Sequence, residues 1–138
     1  MPTRTVCIRS SLDLPQTANR VFRALSIENW EERDSDNHPD GIYFRGTAGE
    51  LTVKVSSYDA LGFEDYPFLI AILAPSTFAL GIDELVDLMV VDLLKAGFEV
   101  ARRVKYTRGL MERERFSLDE CSNLVRTAEK VAVPDEDL

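Results

Sequence analysis

Polar and apolar residues alternate along Thr3–Leu12, with Val6 and Ile8 on one side and Cys7 and Arg9 on the other, and this period of two predicts a first strand. Asp13 followed by Gln16 is a capping-box pattern, and Pro15 suits a first helical turn. Leu14, Ala18, Val21, Phe22 and Leu25 then recur at helical spacing, which predicts a helix over Leu14–Ser26. Trp30–Arg33 and Gly41–Arg45 flank Asp34-Ser35-Asp36-Asn37-His38-Pro39-Asp40, a run of turn formers, and so predict a hairpin with a long loop. Glu50–Tyr58 alternates clearly, with Gly46 and Gly49 read as the turn before it. Tyr66–Leu73 is continuously apolar and predicts a strand buried on both faces.

In the second half, Ile82–Ala96 leaves only Asp83, Glu84, Asp87 and Lys95 as a narrow polar stripe, which predicts a largely buried helix closed by Gly97. Phe98–Tyr106 alternates, and Leu110–Phe116 follows an Arg108-Gly109 turn, so two more strands are expected. Ser117 with Glu120 forms a second capping-box pattern ahead of Leu118, Cys121, Leu124, Val125 and Ala128, which predicts a C-terminal amphipathic helix. The expected fold is therefore α+β: a mainly antiparallel sheet of five to seven strands, two main helices and that C-terminal helix. It forms a single domain over residues 1–133, with 134–138 as a frayed acidic tail.

Charge narrows the possible partners. The chain of 138 residues carries 24 acidic side chains against 16 Lys plus Arg, a net charge of −8. Nucleic acid is an unfavourable partner for such a chain, because affinity for a phosphate backbone comes from counterion release by Lys and Arg. The acidic surplus is concentrated between residues 28 and 66, where Glu28, Glu31, Glu32, Asp34, Asp36, Asp40, Glu50, Asp59, Glu64 and Asp65 face only Arg33, Arg45 and Lys54. Its plainest role is a solubilising surface; its functional role is a face for a basic partner, with Trp30 and Tyr43 as aromatic anchors. Core packing is an equal alternative for Trp30. A basic cluster, Arg102, Arg103, Lys105, Arg108, Arg113 and Arg115, is interleaved with Tyr106 and Phe116, and guarding a strand edge explains it better than a nucleic-acid groove does.

Catalytic chemistry finds little support. His38 is the single histidine, and the spacing of Asp34, Asp36 and Asp40 around it fails the EF-hand pattern of glycine at position six and glutamate at twelve. No Cys-x-x-Cys, phosphate-binding glycine loop or paired nucleophile and base occurs, so no metal, cofactor or enzyme activity is expected. Cys7 and Cys121 both read as buried free thiols, and Arg9 interrupts any secretory apolar core, which fits a cytoplasmic protein.

Trp30-Glu31-Glu32-Arg33-Asp34-Ser35, with Asn37, Pro39, Gly41, Tyr43 and Phe44 and later Asp65-Tyr66-Pro67-Phe68, resembles a pattern in small bacterial proteins akin to the immunity proteins of interbacterial toxin systems. The likeness covers the middle third of the chain. It implies a cytoplasmic protein that binds one toxin domain and blocks its active site. A second resemblance, to type III secretion chaperones, rests on acidity, length and element order, and implies a homodimer with apolar grooves; the first strand and the Asp34–Asp40 loop depart from that plan. The expectation is a non-catalytic module that neutralises a basic, nuclease-like toxin through Trp30, Glu31, Glu32, Asp34, Asp36, Asp40, Tyr43, Asp59, Glu64 and Asp65. The alternatives are a secretion-type chaperone and a small ligand-binding domain.

Overall fold

The computed structural model describes residues 3–75 and 81–133. The chain runs β1 (Thr3–Arg9), α1 (Leu14–Ala24), β2 (Asn29–Asp34), β3 (Ile42–Ala48), β4 (Leu51–Ser57), β5 (Phe68–Leu73), α2 (Ile82–Lys95), β6 (Glu99–Thr107), β7 (Leu110–Leu118) and β8 (Leu124–Ala132). The strands form one antiparallel sheet in the order β2-β3-β4-β5-β1-β6-β7-β8. The sheet therefore has eight strands rather than five to seven, and there are two helices rather than three among the described residues.

The third helix is the main correction. Leu118, Cys121, Leu124 and Val125 have helical spacing, but Glu120 lies in a turn and not in a helical first turn. The Asp119 side chain accepts the backbone N–H groups of Cys121 and Asn123, both at 2.9 Å, and Ser122 takes a positive φ of 63°. That turn reverses the chain into β8, which pairs with β7 over its full length. Pairing sets Lys130 opposite Glu112 and Glu129 opposite Arg113, so complementary charges and a long ladder outweigh a marginal helical pattern. The acidic tail expected over 134–138 lies outside the described residues.

Both helices cover the same face. Val6, Ile8, Phe44, Val53, Val55, Phe68, Ile70, Ile72, Val100 and Phe116 point toward them from the sheet and meet Leu14, Ala18, Val21 and Phe22 of α1 and Leu85, Val86, Met89, Val90 and Leu93 of α2. Each such side chain, fully buried, contributes about 1.5–3 kcal/mol of transfer free energy. Gly46 does not mark a turn: it lies within β3, where a Cβ would sit 2.5 Å from the Phe22 ring, so α1 rests directly on the strand backbone there. The Arg20 guanidinium joins the helices, donating to the Ala96 carbonyl at 2.8 Å where the α2 dipole is negative.

The opposite face is covered only in part. A second, smaller cluster of Cys7, Phe63, Tyr66, Ala101, Met111 and Val133 forms where the segment 58–67, joining β4 to β5, folds beneath the sheet. β5 is consequently not buried on both faces along its length: Phe68, Ile70 and Ile72 are buried, while Leu69, Ala71 and Leu73 are half-buried.

Candidate protein-binding surface

Register divides the acidic residues of the β2–β3 hairpin between two sides. Trp30 pairs with Gly46, Glu32 with Phe44 and Asp34 with Ile42, so these β2 residues share the helix side; Glu31 and Arg33 share the other side with Tyr43 and Arg45. On that other side Arg33 Nη1 donates to Glu31 at 2.7 Å, and Arg45 neighbours Lys54 across the β3–β4 ladder. Cations outnumber the one carboxylate there. On the helix side, and in the loop beyond it, Glu32, Asp34 and Asp36 are exposed and have no cationic partner among the described residues. Asp40, also in the loop, accepts a hydrogen bond from the Ser57 hydroxyl.

The two aromatic candidates are occupied within the fold. Trp30 stacks on Phe22 with ring centroids 5.3 Å apart and meets Phe44 edge-on at 6.0 Å, so it closes the end of the core. Tyr43 is half-buried between the His38 ring, 4.9 Å away, and Lys54, whose Nζ lies 5.5 Å from the ring centre. His38 Nδ1 is 2.7 Å from Ser35 Oγ, and the imidazole is spent on ordering its own loop.

Asp59, Glu64 and Asp65 belong to the segment beneath the sheet, away from the hairpin. Both Asp65 oxygens accept from the Arg113 guanidinium, at 2.9 and 3.0 Å, and Arg113 also donates to the Gly62 carbonyl at 2.8 Å. Hydrogen bonding from Arg113 holds the Asp65 carboxyl below its ordinary range. The guanidinium lies 5.1 Å from the Tyr66 ring centre and 5.7 Å from that of Phe63, and its Nε stands 3.4 Å from Glu129, an ion pair without a formed hydrogen bond. The Glu64 carboxylate accepts the Gly62 N–H. Of these three acids, Asp59 alone has no hydrogen-bond or ion-pair partner among the described residues. The expected ten-residue face is thus two separate places, and the hairpin keeps the available carboxylates.

Arg113 belongs in sequence to a basic cluster, which strand pairing disperses over the two faces of the sheet. Arg102 bonds Glu114 at 2.8 Å on the helix side, whereas Arg113 is buried on the opposite side. The available signal was the alternation of Met111, Arg113 and Arg115 along β7, which places a charge where an apolar residue is expected. Cys7 is buried, and desolvation pushes its thiol up to about 12; Cys121 is exposed in the β7–β8 turn, contrary to the expected burial. No three His, Cys, Asp or Glu side chains converge as metal ligands among the described residues.

Comparison of the chain with protein-family models, curated proteins and solved structures gives no match. No helix among the described residues is long and apolar enough to cross a membrane.

Proposed function

We propose that this chain is a non-catalytic protein-binding module of the immunity-protein kind, which neutralises a basic toxin domain through the acidic side of its β2–β3 hairpin. The observation that supports this reading is the set of three exposed carboxylates, Glu32, Asp34 and Asp36, left without cationic partners among the described residues on one side of an edge strand and its loop. A nuclease cleft is basic because it must hold phosphates, and unpaired carboxylates on a projecting hairpin match that field. Such complementarity speeds association and makes it salt-sensitive.

Charges on an edge strand also prevent sheets from joining end to end, and lysine serves that purpose as well as glutamate does. The two roles therefore separate on charge reversal. Binding of the product of the neighbouring gene is measured for the natural chain and for the triple variant Glu32→Lys, Asp34→Lys, Asp36→Lys, at about 0.05 M and about 0.5 M salt. The expected result is a soluble, folded variant whose affinity is at least tenfold weaker, with most of the loss in the association rate at low salt. Equal affinity in both chains and both salts overturns the proposal. Sedimentation of the free chain tests the chaperone alternative, which requires a stable homodimer.

A further inference from the structure

The segment 58–67 is a loop closed at its own base. The Tyr58 N–H donates to the Pro67 carbonyl at 2.8 Å, one rung beyond the Ser57–Phe68 pair that ends the β4–β5 ladder, so the sheet is complete before the loop begins. The hydrogen bonds above that base are local turns: the Phe63 N–H donates to the Ala60 carbonyl, the Tyr66 N–H to the Phe63 carbonyl, and the Gly62 N–H to the Glu64 carboxylate. Among the described residues no backbone-to-backbone hydrogen bond joins 59–66 to another element. A loop of this kind, with its ends together and its own side chains packed inside it, is an Ω-loop, and it can leave the surface without unzipping a strand.

What holds the loop down is concentrated in a few side chains. Phe63 and Tyr66 are buried with Cys7, Ala101, Met111 and Val133, and that cluster shares no residue with the core on the helix side. Among the described residues, the hydrogen bonds that tie the loop above its base to the sheet all come from Arg113, which donates to the Gly62 carbonyl and to both Asp65 oxygens while its guanidinium lies against the Phe63 and Tyr66 rings. Arg103 reaches only the Tyr58 hydroxyl, at 3.3 Å, which belongs to the base. Arg113 has a second carboxylate at hand. Glu129, opposite it on β8, places Oε1 3.4 Å from Arg113 Nε, and both atoms are buried without a hydrogen-bond partner. An unmade hydrogen bond between two buried groups of opposite charge is a cost that a small shift of the guanidinium removes, and while Asp65 grips the guanidinium the bond stays unmade.

We propose that 58–67 is a strap that swings off the underside of the sheet while the sheet and both helices stay folded, and that Arg113 passes from Asp65 to Glu129 as it does so. The exchange is what makes opening accessible: a buried cation abandoned by its carboxylate opposes the motion, whereas a cation handed to Glu129 stays paired. Each position of the strap has its own ion pair, so the strap is a two-position device. Opening uncovers Cys7, Ala101 and Met111 on the face opposite to the helices. It does not involve Glu32, Asp34 or Asp36, so this inference stands apart from the toxin-binding proposal.

Cys7 reports the motion. In a Cys121→Ser background it is the one thiol of the chain, and its modification by N-ethylmaleimide is followed against urea, beside global unfolding and amide hydrogen exchange. The expected rate is nearly independent of urea at low concentration, because opening the strap exposes little surface, and takes the steep global slope only near the transition. The Phe63 and Tyr66 amides exchange with the same weak urea dependence, while those of Val53 and Ile70 exchange only on global unfolding. Asp65→Asn, which weakens the closed position, speeds Cys7 modification at low urea at least tenfold. Glu129→Gln, which weakens the open position, slows it at least tenfold; a purely structural Glu129 predicts the reverse, since its loss then only loosens the closed form. The proposal is overturned by Cys7 modification that follows the global slope at every urea concentration, by exchange of Val53 and Ile70 together with Phe63, or by a Glu129→Gln chain labelled as fast as its parent or faster.

Discussion

Arg113 of β7 and Asp65, 48 residues earlier in the chain, form a two-pronged ion pair that fastens the β4–β5 connection to the underside of the sheet. The two members are unequal: the Arg113 side chain is 9% exposed and that of Asp65 47%. Loss of Asp65 leaves a nearly buried cation with only the Gly62 carbonyl and the Glu129 carboxylate beside it, whereas loss of Arg113 leaves an Asp65 carboxylate that water can reach. Asp65→Ala is therefore expected to lower stability by about 1–3 kcal/mol, below the range for a fully buried pair because one partner is half-solvated. Arg113→Met, which retains apolar contact with Phe63 and Tyr66, is expected to cost less. Urea unfolding of both variants decides the order, and a larger loss for Arg113→Met refutes the account.

Acid reports on the same pair. Arg113 lowers the Asp65 pKa in the folded state from an ordinary 3.8, so the stability it confers is complete above that value and disappears as pH falls through the lower folded value. Thermal melts of the natural chain should lose stability below about pH 4 more steeply than those of Asp65→Asn, which has no such proton to bind. Parallel curves for the two proteins contradict this assignment.

The two thiols should separate cleanly in a labelling experiment. Burial holds Cys7 protonated, with its pKa at about 12, while Cys121 is exposed. A thiolate reagent at pH 8 should modify Cys121 rapidly and reach Cys7 only at the rate of unfolding or opening. Cys121→Ser should abolish the fast phase; a fast phase that survives shows Cys7 to be accessible.

Helix α1 ends in a left-handed residue that is not glycine. Ser26 has φ 58°, its N–H bonds the Arg23 carbonyl at 3.1 Å, and the Ile27 N–H bonds Phe22 at 2.8 Å, which is a Schellman ending. The left-handed region costs an L-residue roughly 1–2 kcal/mol, and glycine loses part of that advantage to its freer unfolded chain. Ser26→Gly should raise stability by about 0.5–1 kcal/mol in a denaturant melt. A destabilised variant would show that the Ser26 side chain makes a contribution larger than its backbone strain.

Elements that announce themselves through their own period were legible in the sequence. β4, β6 and both helices fall close to their expected ranges, because alternation or a narrow polar stripe is a local property of the chain. β8 is hidden from the sequence because Leu118, Cys121, Leu124 and Val125 fit a helix by spacing, while the ladder that makes the segment a strand belongs to β7. Gly46 suggests a turn because glycine is common in turns; its actual reason, the closeness of the Phe22 ring, lies on another element. For the candidate surface, the polar loop from Asp34 to Asp40 was legible from its turn formers. Which carboxylates remain unpaired was not, since that depends on register: pairing sends Glu31 to Arg33, and folding of the β4–β5 connection sends Asp65 to Arg113.

β1 occupies the middle of the sheet although it is the first strand in the chain, and this governs the order of assembly. β2–β5 and β6–β8 are each meanders built from neighbouring strands, formed at little cost in loop entropy, whereas β1 must find partners roughly 65 and 90 residues away in sequence. The molecule is in this sense two ribbons sewn together by a single thread. During synthesis the thread waits unpaired until β5 has emerged and keeps its other edge open until β6 follows, which prolongs the exposure of Val6 and Ile8 in the nascent chain. A chain lacking residues 1–11 should accordingly persist as two uncoupled ribbons, and a peptide of that sequence added in trans should restore one cooperative transition.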